Sequence, residues 1–283
     1  MKNITGLFGH PLKHTLSPQM HNAAFKALGM DNWEYVLFDF PLEELKEKID
    51  MLRESKDIKG VNVTVPYKID VMQYLDEINP LAEKIGAVNT VKNDNGKLIG
   101  YNTDAPGFYE SLVEDAGFPA AGDENAVLLL GAGGAARALI SILIDKKEFE
   151  DLYIYDPIIN KVKKLIDEIS VPGDIRIHEI EVDTTKPELD KYARQSVLIL
   201  NATGLGSSHN VGASPLSSEA FNDGQWVYDL GYNPPETEML RLAREAGAHT
   251  CNGLGMLVRQ GALAFEIFTG VKPSIEVMKN AVS

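Results

Sequence analysis

Two patterns in this chain bring together side chains able to do chemistry. The first is Val127-Leu128-Leu129-Leu130-Gly131-Ala132-Gly133-Gly134-Ala135-Ala136-Arg137, an apolar strand, a glycine turn and a helix in the G-x-G-x-x-A form of a dinucleotide fingerprint. Gly131 permits the tight turn, Gly133 lets backbone approach a pyrophosphate, and Ala136 is small enough for close helix–sheet packing. The N–H groups from Ala132 to Ala135 and the positive end of the helix dipole then face phosphates. The next apolar run, Leu152-Tyr153-Ile154-Tyr155, ends in Asp156. An acid there accepts hydrogen bonds from both adenosine ribose hydroxyls and repels a 2′-phosphate, which favours NAD over NADP. The plainer reading of Asp156 is a carboxylate capping the helix that starts near Ile159. Lys161, Lys163 and Lys164 follow closely and could neutralise a phosphate, so NADP stays open as cofactor.

The second pattern is a set of four motifs in the first 104 residues. They are Gly9-His10-Pro11-Leu12-Lys13-His14-Thr15-Leu16-Ser17-Pro18, Asn62-Val63-Thr64-Val65-Pro66-Tyr67-Lys68, Gly86-Ala87-Val88-Asn89-Thr90 and Gly100-Tyr101-Asn102-Thr103-Asp104. Hydroxyls, carboxamides, one lysine and one aspartate at strand ends suit a polyhydroxylated carboxylate, and ligands of open α/β sheets collect beyond the carboxyl ends of the strands. Taken singly, Asn89 and Asn102 are turn formers, Ser17 a helix cap and Lys68 a solvated charge. Their joint occurrence is what calls for a site.

Short apolar runs alternate with helical patterns throughout, which predicts an α/β fold with a largely parallel sheet. Strands are expected at Ile4–Gly9, Tyr35–Phe40 and Val61–Val65, with a hairpin of Val88–Lys92 and Lys97–Tyr101. Helices are expected at Pro18–Leu28, with Ser17 as N-cap, at Leu42–Arg53, near Ile69–Leu75 and at Pro80–Ile85. A second unit begins around Asp104–Gly107 with a helix through Phe108–Ala116 and a polar break, Gly117–Asn125. Strands then follow at Val127–Leu130, Leu152–Asp156, Ile175–Ile180, Val197–Asn201 and Trp226–Asp229. Helices are expected at Ala135–Ile144, Lys161–Ile169, Glu238–Ala246, Leu257–Phe268 and Ser274–Ala281.

Composition bounds these readings. The 283 residues carry 27 Lys+Arg against 41 Asp+Glu, a net charge of −14, which disfavours nucleic acid and anionic membrane surfaces as partners. The single Cys251 excludes an intramolecular disulfide framework and a Cys-cluster metal site, and fits a reducing, cytoplasmic setting. The six histidines show no metal-ligand spacing, so no metal is expected. The most apolar stretch, Ala126 to Ile144, is broken by three glycines and Arg137, against a membrane span.

The polar motifs, with Asn201-Ala202-Thr203, Tyr232-Asn233-Pro234 and Asn252-Gly253-Leu254-Gly255-Met256-Leu257 followed by Gln260, closely resemble the shikimate dehydrogenase family, quinate/shikimate members included, from Gly6 to about Ala281. The resemblance implies a substrate domain of residues 1–106 plus 257–283 and an NAD-binding Rossmann domain of residues 107–256. It implies hydride transfer between shikimate and 3-dehydroshikimate, with quinate as a further substrate. Carried over by position, Thr15 and Ser17 would bind the carboxylate. Thr64, Asn89, Asp104 and Gln260 would hold ring hydroxyls, with Asn62 and Tyr232 nearby. Lys68 would be the acid/base, paired with Asp104. Asn201, Thr203, Leu230 and Gly253 would line the nicotinamide end.

Three departures bear on that expectation. Thr15 stands where many members have Ser, adding a methyl beside the carboxylate. Asp156-Pro157-Ile158 replaces the Asn-Arg-Thr run of NADP-dependent members, which removes the arginine partner of a 2′-phosphate. Gly204, Ser207 and Gly231 replace commoner apolar residues and make the cofactor wall more open. A monomer or homodimer is expected. The competing reading is a non-catalytic regulator that keeps the fold to bind a metabolite or NAD; retention of Lys68 and Asp104 argues against it.

Overall fold

The computed structural model describes all residues except 1, 14, 120–125, 148, 170–172, 174, 182–184 and 208–209. His14 of the first motif and part of the 117–125 break therefore lie outside the described residues. The chain divides into two compact units, Met1–Gly107 with Leu257–Ser283, and Phe108–Met256.

The first unit runs β1 (Asn3–Gly9), α1 (Ser17–Ala27), β2 (Trp33–Asp39), α2 (Leu45–Glu54), β3 (Ile58–Val63), β4 (Glu77–Ile78), α3 (Pro80–Ile85), β5 (Thr90–Asp94) and β6 (Lys97–Tyr101), and α4 (Asp104–Glu114) leads out of it. Its six strands lie in the order β2-β1-β3-β5-β6-β4. β1 pairs parallel with β2 and β3, but β5 runs antiparallel to both β3 and β6. The sheet is thus mixed rather than largely parallel. Asn95 and Gly96 both take positive φ and close β5 onto β6 as a tight hairpin, which only an antiparallel pair permits. Ser17 is the first residue of α1 and not its cap. Instead the Thr15 hydroxyl accepts the Ser17 N–H at 3.2 Å.

The second unit contains β7 (Ala126–Leu130), α5 (Gly134–Lys146), β8 (Asp151–Tyr155), α6 (Ile159–Glu168), β9 (Arg176–Glu179), α7 (Lys186–Gln195), β10 (Leu198–Asn201), β11 (Trp226–Asp229), α8 (Glu238–Glu245) and β12 (His249–Asn252). All pairings are parallel, in the order β12-β11-β10-β7-β8-β9. This is the doubly wound dinucleotide-binding order, and its reversal falls between β7 and β10, where ligands collect. β7 is buried from Val127 to Leu130 because its sheet is covered on both faces, so it reads as a continuous apolar run. Among the described residues, no helix is long and apolar enough to cross a membrane.

The chain closes with α9 (Leu254–Thr269) and α10 (Ile275–Asn280). Val258, Ala262, Phe265 and Met278 pack with Leu7, Met20, Phe25 and Tyr35, so the C-terminal helices complete the core of the first unit. α9 crosses α4 at Gly107: a Cβ there would fall 2.6 Å from the Gln260 backbone nitrogen. Gly107→Ala is expected to destabilise the protein by about 1–3 kcal/mol, read as a lower urea midpoint. A gain of about 1 kcal/mol, the ordinary helix-propensity result, would show instead that the crossing has room.

His21 lies in the same core, 1% exposed, stacked on Tyr35 at 4.2 Å, with no hydrogen-bond partner for Nδ1. Burial disfavours its charged form and holds the imidazole down at about 3, from 6.5. As pH falls below 6.5 the unfolded chain takes up this proton and the folded chain does not, so stability is lost progressively towards pH 3. Between pH 7 and pH 5, His21→Leu should lose about 2 kcal/mol less stability than the parent. Urea titrations at the two pH values read this difference directly; parallel pH profiles would disprove it.

Candidate active site

In the first unit the loop after β3 carries Lys68 and is anchored from both sides. Tyr67 is fully buried, stacks on Phe40 at 5.0 Å and donates its hydroxyl to the Phe40 carbonyl. The Lys68 carbonyl accepts the Val88 N–H at 2.8 Å, which ties the loop to the Gly86–Thr90 motif. Asp104 opens α4, and Asn102 prepares that helix end: its side-chain oxygen accepts the Ala105 N–H at 3.2 Å while its amide donates to Ala87 O at 3.0 Å. These two frames bring Lys68 Nζ to 2.7 Å from Asp104 Oδ2. Asp104 Oδ1 accepts from Asn89 Nδ2 at 2.9 Å. The pair is largely shielded, with the two side chains 21% and 11% exposed.

Asn89 is itself fully engaged. Its Oδ1 accepts from Thr103 N at 2.7 Å and from Thr90 Oγ1 at 3.0 Å, and its amide donates also to Thr103 Oγ1 at 2.9 Å. Asn62 is buried as well, accepting from Tyr35 Oη at 2.9 Å and donating to Thr90 Oγ1 at 2.9 Å. Both asparagines therefore hold other side chains in this structure rather than presenting open groups. Thr15 and Ser17 sit together before and at the start of α1, with hydroxyls 3.2 Å apart. Thr64 follows β3, half-buried, its N–H on Phe8 O at 2.9 Å. Gln260 is placed by the Gly107 crossing, one turn along α4 from Asp104.

In the second unit the expected cofactor residues all stand at the carboxyl edge of the parallel sheet. Gly131 follows β7 with φ of +97°, a conformation that only glycine adopts freely, and its N–H bonds Tyr155 O at 2.7 Å. A Cβ on Gly133 or Gly134 would meet nothing within 4 Å, so the start of α5 is an open cradle for a phosphate chain. Ala132 and Ala135 flank it. Asp156 Oδ2 accepts the Ala132 N–H at 3.0 Å and Oδ1 accepts the Ile158 N–H at 2.8 Å. The capping reading of Asp156 and its place beside the glycine turn are thus both realised.

Past β10, Asn201 Oδ1 accepts from Thr203 N at 3.1 Å and from Thr203 Oγ1 at 2.6 Å. Leu230 N bonds Asn201 O at 3.0 Å, and Gly253 N bonds Gly231 O at 3.2 Å. Ser207 Oγ closes its own turn on Gly204 O at 2.5 Å. Tyr232 belongs to this unit, and burial pushes its phenol up from the usual range. One organising residue escaped the sequence reading. Asp229, buried at the end of β11, accepts from Asn201 Nδ2 at 3.1 Å, Thr237 Oγ1 at 2.7 Å and Gly231 N at 2.8 Å. Desolvation raises its carboxyl above the usual range. The available signal was an aspartate ending a strand of a dinucleotide-binding sheet.

Comparison with known proteins bears on the family and the fold. Residues 7–91 match the shikimate dehydrogenase substrate binding domain, and residues 253–282 match the shikimate 5'-dehydrogenase C-terminal domain. A shikimate dehydrogenase (NADP(+)) of Methanocaldococcus jannaschii is 43% identical over 281 residues, covering 99% of this chain and 95% of that protein. The structure of shikimate 5-dehydrogenase from Listeria monocytogenes in complex with shikimate and NAD superimposes with a TM-score of 0.89 at 34% identity, covering 100% and 96% of the two chains. Quinate dehydrogenase from Corynebacterium glutamicum in complex with NAD gives 0.88 at 29% identity, covering 99% and 98%. By full-length likeness in sequence and fold, the chain belongs to the shikimate dehydrogenase family.

Proposed function

We propose that this protein interconverts shikimate and 3-dehydroshikimate with a nicotinamide cofactor, NAD ahead of NADP, and that it also oxidises quinate. The observation that carries the reading is the shielded Lys68–Asp104 pair at 2.7 Å, its carboxylate held on the other oxygen by Asn89. Oxidation of a secondary alcohol needs a group at the hydroxyl to take its proton, and carbonyl reduction needs the same group to return it. Lys68 has that role in both directions. Asp104 orients the lysine amine and accepts from a ring hydroxyl through its remaining lone pairs, and Asn89 fixes Asp104. Thr15 and Ser17 donate to the substrate carboxylate, while Thr64 and Gln260 contact ring hydroxyls; Tyr232 is a further candidate for a substrate contact. The nicotinamide ring, when bound, supplies the carbon that takes or gives the hydride. Positioning of this kind lowers the barrier by up to ~7–11 kcal/mol.

Gly131, Ala132, Gly133, Gly134 and Ala135 hold the cofactor phosphates with backbone N–H groups, Asp156 the adenosine ribose, and Asn201, Thr203, Leu230 and Gly253 the nicotinamide end. Two neutral N–H groups already fix the Asp156 carboxylate, and no charged partner of it stands among the described residues, so it meets a 2′-phosphate with its charge uncompensated. That supports NAD, and on this point the chain would differ from the M. jannaschii relative, whose name carries NADP(+). A non-catalytic regulator would have no use for a desolvated acid/base pair.

Steady-state kinetics with both acids and both cofactors test this reading, and an NADP preference of the parent enzyme would sink the assignment of Asp156. Lys68→Ala should lower kcat by roughly 10²–10⁴-fold with little change in KM; undiminished turnover with weaker substrate binding would reduce Lys68 to a binding residue. Asp156→Asn should shift the NADP/NAD ratio of kcat/KM upward about tenfold, some 1.4 kcal/mol. The same change should destabilise the unit by about 1 kcal/mol, because an amide nitrogen cannot accept the Ile158 N–H.

A further inference from the structure

We propose that Thr90 is a positioning residue for the reaction, clamping the Asn89 carboxamide, and through it Asp104, in the orientation that aims Lys68. The proposal rests on the reading of Lys68 as the acid/base. Thr90 opens β5 directly opposite Asn62 of β3 and is wholly buried. Asn62 Nδ2, which can only donate, lies 2.9 Å from Thr90 Oγ1. Thr90 therefore accepts at that contact, and its own proton goes to Asn89 Oδ1 at 3.0 Å.

The direction of each neighbouring link is fixed in the same way. Upstream, Asn62 Nδ2 also faces the Asn89 carbonyl at 3.4 Å, which can only accept and so settles which end of the Asn62 amide faces Thr90, and Tyr35 Oη donates to the other end, Oδ1, at 2.9 Å. Downstream, Asn89 Oδ1 also receives Thr103 N–H at 2.7 Å, so its amide turns to Asp104 Oδ1 at 2.9 Å and leaves Oδ2 for Lys68. The terminal torsion of an asparagine is broad. Thr103 holds it from the segment entering α4; Thr90 holds it from β5, and the two together stop its rotation. Tyr35, Asn62, Thr90 and Asn89 are all buried, so water is not available to replace a missing member.

The test compares Thr90→Val, which keeps the shape and removes the hydroxyl, with Thr90→Ser, which keeps the hydroxyl. For shikimate oxidation by Thr90→Val we expect kcat about tenfold lower with KM changed by less than about twofold, since misplacement of a reacting group acts on turnover. The solvent deuterium isotope effect on kcat should rise, because the proton step is the one slowed, and Thr90→Ser should restore both values. A thermal melt of each variant confirms that the folded protein is being assayed. If Thr90→Val does not fold, Tyr35→Phe carries the test, with the same signs and a smaller loss.

Unchanged kcat in Thr90→Val, a Thr90→Ser as slow as Thr90→Val, or a loss confined to KM would overturn the proposal. Lys68→Ala measured in parallel separates the two failures. If it retains turnover, the acid/base reading falls and this one with it; if it collapses while Thr90→Val does not, only the role of Thr90 falls.

Discussion

The first unit is organised around a contact that is poor value as a stabiliser. Removing two charges from water costs several kcal/mol per ion, and their attraction recovers this only with good geometry and satisfied lone pairs. Lys68 and Asp104 meet those conditions because neighbouring parts of the fold are built to supply them. Tyr67 pins the lysine loop to Phe40, Val88 holds its carbonyl, Asn102 caps the helix that Asp104 opens, and Asn89 takes the second carboxylate oxygen. Replacing Tyr67, Asn102 or Asn89 by an apolar residue would leave a buried polar atom without a partner.

The second unit solves a similar problem with carboxylates at strand ends. Asp156 and Asp229 each follow the same geometric rule: a side chain at the carboxyl edge of a parallel sheet faces the backbone N–H groups of the next turn. Asp156 ties β8 to the glycine turn after β7, and Asp229 ties β11 to β10 and to the turn at Gly231. Each therefore shapes the edge on which a ligand would lie, in addition to any contact with it. Pre-set turns of this kind keep N–H groups aimed before anything binds.

Much of this was legible in the sequence. The glycine fingerprint, the strand at Trp226–Asp229 and the helix at Pro80–Ile85 stand as read, because apolar period and Pro at a helix start are local signals. β4 and β12 went unread since Glu77–Ile78 is two residues long and His249–Asn252 lacks apolar alternation. α7 was missed because it is highly charged and buries only Leu189, Asp190 and Ala193, although Glu188 accepting from Thr185 N at 2.9 Å is a capping signature visible in the residues. The site divides along the same line. Lys68 and Asp104 were visible as chemistry, whereas Thr90, Tyr35 and Asp229 act through partners far away in the chain. Tyr35 and Asn62 are 27 positions apart, Asn62 and Thr90 28, and no local pattern records such a meeting.

The crossing of α9 at Gly107 also sets an order in time. The dinucleotide unit is a single stretch, Phe108–Met256, and can close as soon as it has been synthesised. The first unit is made of residues that precede and residues that follow that stretch. Leu7, Met20 and Phe25 acquire Val258, Ala262, Phe265 and Met278 as neighbours only after those residues have left the ribosome. The first unit is therefore begun before the second and finished after it, its apolar surface waiting while residues 108–256 are made. Premature termination just after Met256 would leave the nucleotide-binding half whole and the half that carries Lys68 without its last helices.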